Sequence, residues 1–221
     1  MSFNIAIDGP AGAGKSTIAK QLATKLDFIY VDTGAMYRAL AYFFLQKGVD
    51  IASEDAICSV VNEAHVEIAY EDGKQQVLLN EENVTAFLRE EAVGEAASVT
   101  SAYGCVREHL LQLQRELASK KDVIMDGRDI GTCVLPNAPL KIYLTASTYT
   151  RAQRRYDELV AKGEHADFEL IEAGIIERDE RDMNREIAPL KQAEDAIYLD
   201  SSNMGIAEVV TTIFNLAKER M

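Results

Sequence analysis

Short apolar runs alternate along the chain with longer segments whose apolar residues recur every three or four positions. That is the pattern of βαβ units, which build a parallel sheet covered by helices on both faces. Phe3 to Asp8 reads as a first buried strand. Lys15 to Leu26 reads as a helix, because Ile18, Leu22 and Leu26 share one face, and Phe28 to Asp32 returns as a second strand. Val123 to Met125, Lys141 to Leu144 and Ala196 to Leu199 predict three more strands. Ile206, Val209, Val210, Ile213, Phe214 and Ala217 form an apolar stripe of helical period, expected to close the far side of the sheet.

Two stretches depart from this rhythm. His65 to Tyr70 and Gln75 to Leu79 alternate on either side of Glu71-Asp-Gly-Lys74, where Asp-Gly predicts a hairpin, and Val84 to Ser101 reads as helical. Together they predict a small α+β subdomain inserted at about 63–101. Ser147 to Arg185 reads as a helix pair broken at Lys162-Gly163, a second insertion at about 147–185. The expected organisation is one α/β domain over 1–221 carrying both insertions.

Composition narrows the function. A chain of 221 residues with 48% hydrophobic and 27% charged residues can bury one substantial core. Its formal net charge of −13 argues against a sequence-independent grip on nucleic acid or an anionic membrane. Cys58, Cys105 and Cys133 match no zinc or redox spacing and are expected to be buried or free thiols, as suits a reducing cytoplasm. His65, His109 and His165 are scattered without metal-ligand spacing. The segment from Met1 to Asp8 has no basic stretch before its short apolar run, so no signal peptide is expected, and no apolar run reaches membrane-spanning length.

Gly9-Pro10-Ala11-Gly12-Ala13-Gly14-Lys15-Ser16 fits G-x-x-x-x-G-K-[ST] between a predicted strand and a predicted helix, the context this motif needs. Glycines let the loop fold back so that backbone N–H groups converge on phosphate oxygens, beside the positive end of the helix. Lys15 would neutralise β and γ phosphates, and the Ser16 hydroxyl would ligate Mg²⁺. Thr17, next along, completes the expected ATP-binding segment. Asp126 ends an apolar strand. It can stand behind the metal or simply cap the next turn.

Six of the twelve arginines, Arg151, Arg154, Arg155, Arg178, Arg181 and Arg185, lie in the second insertion. Arg151 and Arg155 are i, i+4 neighbours, and Arg178, Arg181 and Arg185 follow i, i+3, i+7, so each set can line a helix face. Such faces can spread the charge of a triphosphate during phosphoryl transfer, or can belong to solvated helices whose arginines pair with Glu177, Asp179, Glu180 and Asp182. Arg38 and Arg128 follow strand ends beside glycines, which favours phosphate-contacting loops over plain surface charge.

The segments Ile7 to Ser16, Asp32-Thr-Gly-Ala-Met-Tyr-Arg38, Asp126-Gly-Arg-Asp-Ile-Gly131 and Arg178-Asp-Glu-Arg-Asp-Met-Asn-Arg185, in this order and spacing, resemble the bacterial-type cytidylate kinases nearly end to end. The resemblance implies a P-loop NTPase core with a monophosphate-binding insertion and a helical lid, and a CMP and dCMP kinase using ATP with Mg²⁺. It implies cytosine contacts from Ser98, Arg107 and Asp129, and monophosphate contacts from Thr33, Arg38, Arg128 and Arg185, with Asp182 near the sugar. Arg154, Arg155 and Arg181 would reach the ATP phosphates, and Lys15, Arg128, Arg181 and Arg185 would carry the catalysis. Thr33 stands where the family often has serine. The expected partners are small molecules only, for a monomer in the cytoplasm. A P-loop kinase of another acceptor, such as UMP or shikimate, and a GTP-hydrolysing switch are the competing readings; no Asn-Lys-x-Asp segment is present to read guanine.

Overall fold

The computed structural model describes residues 2–221; Met1, part of the N-terminal segment considered above, lies outside them. In chain order the elements begin with β1 (Ile5–Asp8), α1 (Lys15–Leu26), β2 (Ile29–Asp32), α2 (Thr33–Gln46) and α3 (Glu54–Val60). Then come β3 (Val66–Glu71), β4 (Lys74–Leu79), β5 (Glu82–Asn83), α4 (Glu91–Thr100) and α5 (Gly104–Lys120). The chain closes with β6 (Val123–Gly127), β7 (Leu140–Thr145), α6 (Thr148–Ala161), α7 (Phe168–Asn184), β8 (Ile197–Asp200) and α8 (Ile206–Lys218). They form two compact units, one of residues up to Tyr30 together with Lys121–Met221, the other Val31–Lys120.

The first unit is built on a five-stranded sheet of order β2-β6-β1-β7-β8. The central strands are parallel, with Asp8 of β1 opposite Gly127 of β6 and Tyr143 of β7. β1 is apolar at Ile5, Ala6 and Ile7 without alternation because both faces are covered. Ile18, Ala19 and Leu22 of α1 pack with Val209, Val210 and Ile213 of α8 against Ile5, Ile7, Ile124, Ile142 and Leu144. α8 therefore lies beside α1 on one face of the sheet, not on the far side. An apolar stripe shows that a helix has a buried face, whereas strand order decides which side of the sheet receives it. α6 and α7 form the helix pair expected from the second insertion, with a break after Ala161.

The second unit holds an antiparallel sheet of order β3-β4-β5 packed with α2 and α4. Asp72 and Gly73 both take positive φ at the predicted hairpin, the two-residue turn that suits the twist of the flanking strands. The 84–101 segment is not one helix. Val84 ends the β5 pairing, Phe87–Arg89 makes a single 3₁₀ turn, and only Glu91–Thr100 is α-helical. Val93, Ala96 and Ala97 of that helix bury against Ala41 of α2. Cys58 of α3 and Cys105 in the first turn of α5 form a disulfide, with Cα atoms 5.7 Å apart, where buried or free thiols were expected. A separation of 47 residues gave no local sign of it; the packing of α3 on α5 makes the pair. Cys133 takes no part in a disulfide.

Candidate active site

β1 delivers the chain into the glycine-rich loop. Gly9 has φ 153°, and a Cβ on it would lie 1.9 Å from the Leu144 carbonyl oxygen of β7, so only glycine lets the loop leave the sheet this close to the neighbouring strand. Gly14 is the N-cap of α1, whose first turn has no acidic residue, leaving its exposed N–H groups and positive dipole end to an anion. Lys15 is only 6% exposed, and its Nζ donates to the Pro10 carbonyl at 2.7 Å. Burial first, then the Arg128 guanidinium, push its ammonium well below the ordinary lysine range, against the pull of Asp126, Asp182 and Asp8.

Asp126, at the C-terminal end of β6, accepts the Ser16 hydroxyl at 2.9 Å and the Tyr30 hydroxyl at 2.8 Å. Its carboxylate thus faces the Ser16 hydroxyl of the loop from the neighbouring strand. Among the described residues no group of three His, Cys, Asp or Glu side chains could hold a metal. A divalent ion at Ser16 would thus take most of its oxygens from nucleotide and water, as Mg²⁺ commonly does.

One residue beyond Gly127, Arg128 donates through Nε to Asp182 of α7 at 2.8 Å, and Asp129 lies 3.7 Å from the Arg185 guanidinium. Arg185 also donates to the Ala188 carbonyl. Burial tends to raise the Asp182 carboxyl. Arg128, by charge and hydrogen bond, and then Arg178 and Arg185 outweigh that and hold it below the usual carboxylate range. Ile130–Val134 then makes one π-helical turn, with the Val134 and Leu135 N–H groups reaching back to the carbonyls of Asp129 and Ile130.

The arginines of α6 and α7 divide into two kinds. Arg151 is buried, paired with Asp179 through both terminal nitrogens and bonded to the Ala146 and Ala11 carbonyls, so it ties α6 to α7 and to the glycine-rich loop. Arg155 pairs with Glu158 at 3.1 Å and Arg181 with Glu177 at 3.0 Å, both in solvated surroundings where such pairs are weak and easily exchanged. Arg154 donates to the Ser201 carbonyl beyond β8. The i, i+4 spacing put Arg151 and Arg155 to one use, yet the structure buries the first and exposes the second.

In the second unit, Thr33 opens α2 and is buried. Arg38 lies within α2, not in a loop: Gly34 sits in a helical first turn capped by Asp32, which accepts the Ala35 N–H at 3.0 Å. Asp32 is also 4.0 Å from Arg38 and 3.4 Å from Arg89, and exchanges two backbone hydrogen bonds with the Gln75 side chain. Ser98 is buried on α4. Arg107 of α5 donates to the Ser101 carbonyl at 3.0 Å and stacks its guanidinium over Tyr37 at 5.5 Å. The organising roles of Asp8, Tyr30 and Asp32 were not read from the sequence; an acid closing an apolar strand, as at Asp8 and Asp126, was the available signal.

A parallel sheet whose first strand feeds a glycine-rich loop and a helix, with the Arg128 loop at the end of the neighbouring strand β6, defines the chain as a P-loop NTPase of the kinase type. The sequence pattern of the cytidylate kinase family matches residues 5–219, and the chain belongs to that family. It is 47% identical over 220 residues to a cytidylate kinase of Geobacillus sp. (strain WCH70), covering 100% of this chain and 98% of the relative. It is 47% identical over 219 residues to one of Anoxybacillus flavithermus (strain DSM 21510 / WK1), covering 99% and 97%. A crystal structure of an uncharacterized protein from Eubacterium ventriosum ATCC 27560 superposes with a TM-score of 0.53 at 12% identity over 99% of this chain and 100% of that one, a likeness of fold.

Proposed function

We propose that the protein transfers the γ-phosphoryl group of ATP to CMP and dCMP, releasing ADP with CDP or dCDP. The observation that carries this reading is the pairing of Asp8 with Gly127, which makes the glycine-rich loop and the Gly127-Arg128-Asp129 loop leave adjacent parallel strands side by side. A triphosphate cradle and a guanidinium–carboxylate pair are thereby presented at one edge of the sheet. Membership of the cytidylate kinase family supports CMP as the acceptor.

In this reading Gly9 to Thr17 hold the ATP phosphates, Lys15 meets the transferred group, and Ser16 holds Mg²⁺, which neutralises phosphate charge when bound. Arg154, Arg155 and Arg181 exchange their present partners for triphosphate oxygens. Thr33, Arg38, Arg128 and Arg185 take the CMP phosphate, Asp182 the sugar, and Ser98, Arg107 and Asp129 the base. No general base is needed: the acceptor phosphate, with a second pKa of about 6, is already largely a dianion at neutral pH. Catalysis consists of aligning two anions and screening their repulsion. The segments at about 63–101 and 147–185 serve as acceptor-binding insertion and lid. Among the described residues no helix is long and apolar enough to cross a membrane. We place the enzyme in the cytoplasm as a monomer acting on small molecules, because its substrates are found there; the disulfide removes the cysteine argument for that compartment.

ADP release measured with CMP, dCMP, UMP, AMP and shikimate as acceptors tests the reading. CMP and dCMP are expected to be strongly preferred, and preference for any other acceptor would replace the assignment. Asp129→Asn probes the base. Cytosine offers an N4 amino donor to a carboxylate, whereas uracil offers O4, an acceptor facing an acceptor. The variant is expected to narrow the CMP to UMP ratio of kcat/KM by at least about tenfold, ~1.4 kcal/mol. Equal losses on both nucleotides would mean that Asp129 only holds Arg185.

A further inference from the structure

We infer that Asp8 is a positioning residue for the acceptor side of the site, holding the Arg128–Asp129 loop in its binding geometry by capping the turn that follows it. The inference rests on the proposed assignment of Arg128 and Asp129 to CMP.

Ile130 and Gly131 open the π-helical turn, and the first N–H groups of any helical turn lack partners within it. A residue at the N-cap normally accepts one of them, but Asp129, in that place, makes no side-chain cap. Asp8 does so from β1. One carboxylate oxygen accepts the Ile130 N–H and the other the Gly131 N–H, each at 2.7 Å, across more than a hundred residues of sequence. The Asp129 side chain is thereby left to face Arg185.

The joint is tight from both sides. A Cβ on Gly131 would lie 3.2 Å from the Asp8 Oδ2 and 3.1 Å from the Lys141 Cδ, so the loop approaches the carboxylate without a spacer. The carboxylate is also held in an unfavourable place. Burial is the largest influence and, with Asp129 opposing ionisation, outweighs the Gly131 and Ile130 amides and Lys15, so that Asp8 is pushed up to about 6. A buried group that ionises at neutral pH at such cost, and whose two oxygens are both spent on the amides beside Arg128 and Asp129, fixes that loop more firmly than an apolar strand end would. Gly9, the next residue, makes its close approach to the Leu144 carbonyl through its backbone, so Asp8 reaches the ATP loop through its charge on Lys15 and not through a hydrogen bond to that loop.

Asp8→Asn is the neutral isostere. Its amide turns a donor toward one of the two N–H groups and loses one bond. The CMP KM at pH 8 is expected to rise about tenfold and the ATP KM by clearly less, since only the charge of Asp8 on Lys15 is lost on the ATP side. Lowering the pH from 8 to 5 protonates Asp8 in the wild type and places an O–H against the same amide. The wild-type advantage in CMP kcat/KM should therefore shrink toward parity, and ionisation of CMP itself cancels in the ratio. Gly131→Ala, which crowds the joint from the loop side, should reproduce the CMP-selective rise. Unchanged CMP KM in both variants, a parallel rise for CMP and ATP, a pH-independent deficit, or failure of both variants to fold would each overturn the inference. Failure of the wild type to use CMP would instead sink the functional assignment.

Discussion

Lys15→Ala is expected to lower kcat by about 10²–10³-fold while leaving the fold intact, the loss typical when a preorganised charge is removed from a transition state. The side chain lies inside the loop, bonded to Pro10, and contributes nothing to the apolar core. Its ammonium is held in an unfavourable setting by burial and by Arg128. A lysine whose pKa is lowered on folding binds its proton less well in the native state, so it opposes folding most at pH values below its lowered pKa. That opposition fades as pH rises through the ordinary lysine range, where the unfolded chain also loses the proton. Removing Lys15 should therefore leave the melting temperature at pH 7 unchanged or higher. An incoming triphosphate restores a reason for the charge, so the benefit of the lysine is realised on binding. Steady-state kinetics with thermal unfolding checks both parts, and near-normal turnover in the variant would contradict the assignment of the loop.

Arg128→Met is expected to reduce kcat/KM for CMP by about 10²-fold, with ATP affinity little affected, because methionine keeps the length but deletes the forked donors. Here stability should fall as well. Asp182 is buried and loses its largest source of charge stabilisation, keeping Arg178 and Arg185, so its carboxyl should titrate higher than in the wild type. Since a depressed carboxyl contributes stability above its unfolded pKa and loses it as pH falls through the folded value, the variant's deficit should be largest near neutral pH. It should narrow in acid. Isothermal titration with CMP and with ATP, alongside unfolding at pH 7 and pH 4, reads all of these. Unchanged CMP affinity together with unchanged turnover would remove Arg128 from the site.

The core of this fold was legible where local pattern and tertiary packing ask for the same thing. β1, α1, β6, β7 and α8 fall close to their expected positions because buried parallel strands must be apolar throughout and covering helices must be striped. The glycine-rich loop was legible because backbone geometry demands glycine at particular places. What escaped was non-local. The 84–101 segment has helical composition, yet pairing of β5 with β4 captures its start and leaves only α4 as helix. The Cys58–Cys105 bond depends on two helices meeting. Arg38 read as a loop residue because glycine precedes it, and Asp32 instead caps a helix that absorbs that glycine. The hydrogen-bonding acids Asp8, Asp32 and Asp126 were visible as acids at strand ends, but their partners, Ile130 and Gly131, Gln75 and Arg89, Ser16 and Tyr30, lie where only the folded chain brings them.

The central claim is that the phosphoryl group passes from one nucleotide to another and not to water. It is tested most directly by following label from γ-³²P-ATP with CMP present, with Lys15→Ala as the control. The label should appear in CDP, with little inorganic phosphate, and the variant should transfer almost none. Label accumulating as inorganic phosphate whether or not CMP is present, with no labelled CDP, would contradict the account.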